Sequence, residues 1–81
     1  MEKSEIIAFR DAVPFIPFDM RIADGRVIHI PHPDYVMVSP TGNYVAAFLR
    51  SGGFVNIDIA LVVDVALHRD VLHMLFDTAD A

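Results

Sequence analysis

Histidine and carboxylate side chains cluster in one short stretch, where His29, His32 and Asp34 follow the spacing His-x-x-His-x-Asp. Imidazole nitrogens and carboxylate oxygens are ordinary zinc ligands, so this spacing could supply part of a metal site. A structural zinc site needs four ligands in a tetrahedron, and the stretch offers no evident fourth. Because Pro31 and Pro33 already make it a rigid turn, we expect turn chemistry here, with no metal and no cofactor.

Other residues of the types found in active sites form no recognisable catalytic arrangement. Asp58 and Asp64 are not an obvious acid–base pair, and Asp58 suits the cap of a helical turn. Ser39 precedes a proline in a turn and has no oxyanion-hole context. The Gly52-Gly53 pair lacks a phosphate-cradling motif around it and is interpreted as a turn. We expect the protein not to be an enzyme, since so small a core leaves little room for a substrate pocket.

Composition sets the class of protein. The 81 residues have room for one domain, 54% of them are apolar, there is no cysteine, and the formal net charge is −5. Six basic residues are spread singly, which weighs against a protein that tracks nucleic-acid phosphates. The N-terminus is acidic where a signal peptide would be basic, and no run of 18 apolar residues occurs. These features predict a cytoplasmic protein with no membrane association.

The N-terminal part, residues 1–13, is predicted to contain a short helix over residues 5–12. Ser4 is a suitable N-cap, and Pro14 ends the helix because a proline pushes the preceding residue out of helical space. The expected apolar stripe consists of Ile6, Phe9 and Val13.

Residues 14–68 are predicted to form a small five-stranded antiparallel barrel of the SH3-like or Sm-like kind, since short apolar runs alternate with glycine-containing turns. Phe15 and Phe18 are expected to plug its open end. In the first hairpin, a three-residue loop with Gly25 in the left-handed conformation pairs Met20 with Ile28 and Phe18 with Ile30. The residues left on the outer face are Asp19, Arg21, Val27 and His29.

The later strands are predicted from the same alternation. The second strand must bend at residues 31–34, because neither proline can donate to a ladder, and it resumes at Tyr35. Residues 44–49 are apolar and are expected to be covered on both faces. Tyr35, Tyr44 and Phe48 could stack on nucleic-acid bases, but aromatic residues on apolar strands are more often core residues, which is what we expect here. Asp58 is expected to cap a single helical turn that separates the fourth strand from the fifth.

In residues 69–81 the apolar residues no longer alternate but recur every three or four positions. This spacing predicts an amphipathic C-terminal helix. Asp70 could cap its start, and the helix would be marginal on its own in water. Its apolar stripe, the expected interface either with the barrel or with another chain, consists of Leu72, Leu75, Phe76 and Ala79.

Ordered landmarks across residues 14–65 carry a resemblance to a family. Taken together, they resemble a family of short, uncharacterised bacterial proteins, which brings no known activity. The landmarks are Pro14-Phe15, Pro17-Phe18, Asp24-Gly25-Arg26, His32-Pro33-Asp34-Tyr35, Ser39-Pro40-x-Gly42 and Ile57-Asp58.

The order of one helix followed by five short strands is similar to Sm-like and SH3-like barrels. Sm-like proteins use an Asp-x-x-Met-Asn motif to bind RNA bases. Here the stretch from Asp34 to Val38 keeps the Asp and the Met but has Val38 in place of the Asn, and Asp58-Ile59-Ala60 stands where an Arg-Gly dipeptide is expected. The resemblance implies ring formation, and RNA contacts through Asp34, Tyr35 and Met37.

Two functional hypotheses follow. The first is a non-catalytic barrel that self-associates, as a dimer or a ring, and presents a protein-interaction surface, which would account for the apolar excess in a chain without disulfides. The alternative is an Sm-like RNA-binding ring. The sparse basic residues favour the first.

Overall fold

The computed structural model describes residues 1–68, so the predicted C-terminal helix and its stripe lie outside the described residues. These 68 residues fold as one helix and six strands. The elements are α1 (Lys3–Arg10), β1 (Phe18–Ile22), β2 (Val27–Ile30), β3 (Val36–Val38), β4 (Tyr44–Phe48), β5 (Phe54–Asp58) and β6 (Val62–Leu67). Single 3-10 turns at Pro33–Tyr35 and Ile59–Leu61 precede β3 and β6. Within residues 1–68, no helix combines the length and hydrophobicity needed to cross a bilayer.

Helix α1 begins and ends earlier than predicted. Its N-cap is Glu2, which makes no side-chain capping bond. The Glu5 amide donates to the Glu2 carbonyl, so the first turn already includes Ser4 and leaves it inside the helix. The predicted Ser4 cap is therefore wrong. Ile6 is fully buried, whereas Val13 lies beyond the helix end and is 96% exposed. Only the first two residues of the predicted stripe contact the core.

The first hairpin has the predicted register. Phe18 pairs with Ile30 and Met20 with Ile28, and all four side chains are buried. Gly25 has φ +95° in the three-residue loop, a conformation that glycine adopts without a Cβ clash. Side-chain parity was sufficient to fix this register, because a shift of one residue would turn the apolar set toward solvent.

The strands form two separate three-stranded antiparallel sheets rather than the predicted closed five-stranded barrel. One sheet has the order β2-β1-β6 and the other the order β3-β4-β5. The predicted bent second strand is broken into two strands, because the His32 ring accepts the Asp34 amide at 3.2 Å and caps a 3-10 turn in place of a continuous ladder. Each half then pairs in a different sheet.

The chain crosses between the sheets a second time at Ile59–Leu61. As predicted, Asp58 caps this turn, with its Oδ1 accepting the Ala60 amide at 2.9 Å. The turn is tied to both sheets, since the Ile59 amide donates to Asn43 and the Leu61 carbonyl accepts from Ala23.

One core lies between the inner faces of the two sheets and α1. Phe18 is fully buried near its centre, with the Phe9 and Phe15 rings 5.3 and 6.0 Å away. The buried set is Ile6, Phe18, Met20, Ile22, Ile28, Ile30, Val36, Val45, Ala47, Ile57, Ile59 and Val62. The core therefore uses the inward side chains of both sheets, and the alternate side chains of each strand face outward.

Candidate functional site

The outer face of the β3-β4-β5 sheet exposes large apolar side chains to solvent, with Asn56 and Asp58 as the polar residues of β5 beside them. Four large side chains, which we call the aromatic face, point outward from the three strands: Met37, Tyr44, Phe48 and Phe54. Their exposed fractions lie between 48% and 64%. Phe48 and Phe54 are direct cross-strand partners with ring centroids 5.9 Å apart. Exposed contiguous apolar surface of this kind marks interaction sites in soluble proteins.

Strand alternation explains why these side chains face solvent. Val45 and Ala47 of β4 are fully buried, so Tyr44 and Phe48 must lie on the opposite side. The start of β4 is fixed by Ser39, whose hydroxyl accepts the Asn43 and Tyr44 amides at 3.2 and 3.1 Å. The expectation that this strand is covered on both faces is wrong, because among the described residues α1 and the other sheet cover its inner side only.

The outer face of the β2-β1-β6 sheet carries ion pairs and hydrogen bonds beside the exposed Val27 side chain. Arg21 donates two hydrogen bonds to the Asp64 carboxylate across β1 and β6, with Nε 2.7 Å from Oδ1. The bonds from this guanidinium hold the pKa of Asp64 below its usual range. We call this surface, with Asp19, Arg21, His29, Asp64 and the adjoining His68, the polar face.

Two histidines converge on one carboxylate at the end of the polar face. Asp19 and His29 are direct cross-strand partners, and the His29 Nδ1 lies 2.9 Å from the Asp19 Oδ1. The His68 Nδ1 lies 2.9 and 3.0 Å from the two oxygens of the same carboxylate. The imidazole centroids are 3.9 Å apart, and the three side chains are 18 to 26% exposed.

The sequence spacing at His29, His32 and Asp34 does not form a site. His32 serves as the turn cap, and its ring lies 3.6 Å from the 90% exposed Asp34 side chain. His29 instead belongs with Asp19 and His68. Sequence reasoning placed Asp19 and His29 on one outer face but missed His68, which the pairing of β6 with β1 brings in from 49 residues away.

The predicted RNA contacts differ in their exposure. Tyr35 is half-buried and packs against the core, whereas Met37 is 64% exposed on the aromatic face. Asp34 lies in the turn before β3. Two other basic side chains of the described range are engaged by carboxylates, Arg10 by Asp11 and Arg26 by Asp24.

Comparison with known proteins gives no assignment: no family model, no curated protein and no solved structure matches this chain. The resemblance to short bacterial proteins therefore stays a hypothesis.

Proposed function

We propose that the protein is a non-catalytic module that self-associates through the aromatic face, with a second copy of this chain as the occupant. The carrying observation is that three aromatic side chains and a methionine are about half exposed or more on one sheet, while ion pairs and hydrogen bonds occupy the other. A face that meets its own copy makes a twofold contact, which closes as a dimer.

The charge distribution on this sheet allows a second copy of the chain as the partner. The chain carries a formal net charge of −5, so two copies repel wherever carboxylates meet. The outward positions of the β3-β4-β5 sheet hold one charged residue, Asp58 at a corner, and its carboxylate is engaged in capping. The rest of the face, with Met37 and Asn56 beside Ala46 and the Phe48–Phe54 pair at one end, is neutral and can be buried against itself without leaving an unpaired charge.

The area of the face matches a weak dimer. Four side chains exposed by half to two-thirds, at roughly 200 Å² each, offer about 400 Å² of apolar surface per copy. A standard interface buries about 800 Å² per partner, of which only the core is strongly apolar. The aromatic face supplies such a core, and we expect a dimer with micromolar affinity.

The order of the strands bears on the predicted relation to SH3-like and Sm-like folds. If β2 and β3 are taken as halves of one bent strand, the two sheets follow the continuous order β6-β1-β2/β3-β4-β5. This order supports a relation to SH3-like and Sm-like folds.

RNA binding is the competing function for exposed aromatic side chains, since they can stack on bases. The pairing of Arg10, Arg21 and Arg26 with carboxylates makes a protein partner the better fit.

Absolute mass in solution tests the proposal. Light scattering after size-exclusion chromatography, at two concentrations, is compared for the wild type, Phe48→Glu and the control Val63→Glu. Val63 is 59% exposed on β6 of the other sheet, so both variants add one negative charge at an exposed strand position. Phe48 contributes about 100 Å² per copy, or about 2.5 kcal/mol, so the loss from one copy alone should raise the dimer Kd about 70-fold, and the loss from both copies should raise it further.

The outcomes separate the alternatives. A wild type and Val63→Glu that dimerise with a monomeric Phe48→Glu would support the proposal. Dimers in all three would overturn it, and loss of association on deletion of residues 70–81 alone would assign the contact to the tail stripe. A ring of five to seven subunits that binds a U-rich oligonucleotide would favour the Sm-like alternative.

A further inference from the structure

We propose that Asp19, His29 and His68 form a binding site for one divalent transition-metal ion on the polar face. The inference is independent of self-association, because these residues lie on the other sheet from the aromatic face. It rests on two imidazoles and one carboxylate, held by three different parts of the chain, whose ligand atoms all lie within 4.8 Å of one another.

The backbone fixes all three residues. Asp19 and His29 face each other across the β1–β2 ladder, which sets their side chains on the same side. His68 follows the last residue of β6, and its amide donates to the Pro17 carbonyl at 3.0 Å, which extends the contact between β6 and the segment leading into β1. The sheet therefore positions the ligands in advance, and little ordering is left for an ion to cause.

The distances from each imidazole nitrogen to the Asp19 carboxylate suit a first-row metal. With metal–ligand bonds of about 2.0 to 2.2 Å, neighbouring donors lie about 2.9 Å apart at right angles and about 3.4 Å apart at tetrahedral angles. The imidazole nitrogens lie 2.9 to 3.0 Å from the Asp19 oxygens. Right-angled coordination requires almost no movement of these pairs, and tetrahedral coordination requires about half an ångström.

Neighbouring charge leaves the carboxylate available. Arg21 is two residues from Asp19 on the same face and would be the natural competitor for it. The Arg21 guanidinium is instead bound to both oxygens of Asp64. Asp19 keeps both histidines as partners, and the negative charge of the chain favours a cation.

The ligand set defines the chemical class of the ion. Two histidines and one carboxylate are the protein ligands of open zinc sites and of non-haem Fe(II) sites, in which water or substrate completes the coordination. Hard ions such as Mg²⁺ and Ca²⁺ prefer oxygen ligands alone. The residual exposure of 18 to 26% leaves room on the solvent side for the remaining ligands.

Isothermal titration of tag-free protein with Zn²⁺ at neutral pH tests the site. We expect one ion per chain, and at least a tenfold weaker Kd in both Asp19→Asn and His68→Gln. The control is His32→Asn, which removes the exposed turn histidine but retains a side chain able to cap the turn. It should bind as the wild type does, and circular dichroism checks that all variants are folded.

A second readout assigns the ligands directly. On addition of Zn²⁺, the imidazole NMR signals of His29 and His68 should shift while those of His32 stay in place. Absence of binding at millimolar Zn²⁺ would overturn the proposal. So would binding that survives both site variants, or binding that His32→Asn removes.

Discussion

Asp58 caps the Ile59–Leu61 turn, through which the chain passes from one sheet to the other, and the contribution of this cap to the free energy of unfolding can be measured. Asp58→Ala removes the acceptor that lies 2.9 Å from the Ala60 amide, while Asp58→Asn retains an acceptor and changes the net charge equally. Loss of an N-cap costs about 1 kcal/mol, which in a domain of this size corresponds to roughly 4 to 8 °C in Tm. Asp58→Asn should cost a few tenths of a kcal/mol at most.

Urea unfolding followed by circular dichroism gives both free energies. The substitutions are made in the Phe48→Glu background, because Asp58 lies at the corner of the aromatic face and a change in dimerisation would otherwise enter the measured stability. An equal loss of stability in the two variants would assign the effect to charge. No loss in Asp58→Ala would refute the role of the cap.

Two further predictions concern the other sheet and its first turn. Because the Arg21 bonds lower the folded-state pKa of Asp64, this pair stabilises the fold above about pH 4 and its contribution is lost as the pH falls through that lowered pKa. Arg21→Gln should raise the Asp64 pKa in an NMR titration and flatten the fall in Tm below pH 5; an unchanged pKa would contradict the pairing. Gly25→Ala should destabilise the protein by about 1 kcal/mol in urea, since φ is +95° and nothing lies within 4 Å of the added Cβ, so the cost is backbone strain alone. The control Gly53→Ala, with no positive φ and its nearest contact at 3.7 Å, should be close to neutral, and equal losses would refute the strain argument.

Local patterns predicted the first hairpin and the Asp58 turn correctly, although they misplaced the start of α1. The pairing of Met20 with Ile28 follows from side-chain parity and loop length within one hairpin, and the Asp58 cap follows from the residue type at a strand end. The same parity also placed Asp19 and His29 on one face, which is two-thirds of the proposed metal site.

The errors about the two outer faces arose where pairing partners are distant in sequence. The position of His68 depends on β6 lying beside β1, and the sequence around His68 does not indicate which strand β6 pairs with. The exposure of Tyr44 and Phe48 depends on which side of β4 the rest of the chain covers, so an apolar run was mistaken for a strand buried on both faces. The aromatic face was therefore missed, although it is the most exposed apolar surface of its sheet.

The most direct test of self-association through the aromatic face is the dilution of isotope-labelled wild-type protein, monitored by NMR. If the face is the dimer contact, the Met37 methyl and the Phe48 and Phe54 ring signals should shift progressively on dilution through the micromolar range. The signals of Arg21 and Asp64 on the polar face should stay in place. Concentration-independent spectra, or shifts confined to the polar face or to residues 69–81, would contradict the account.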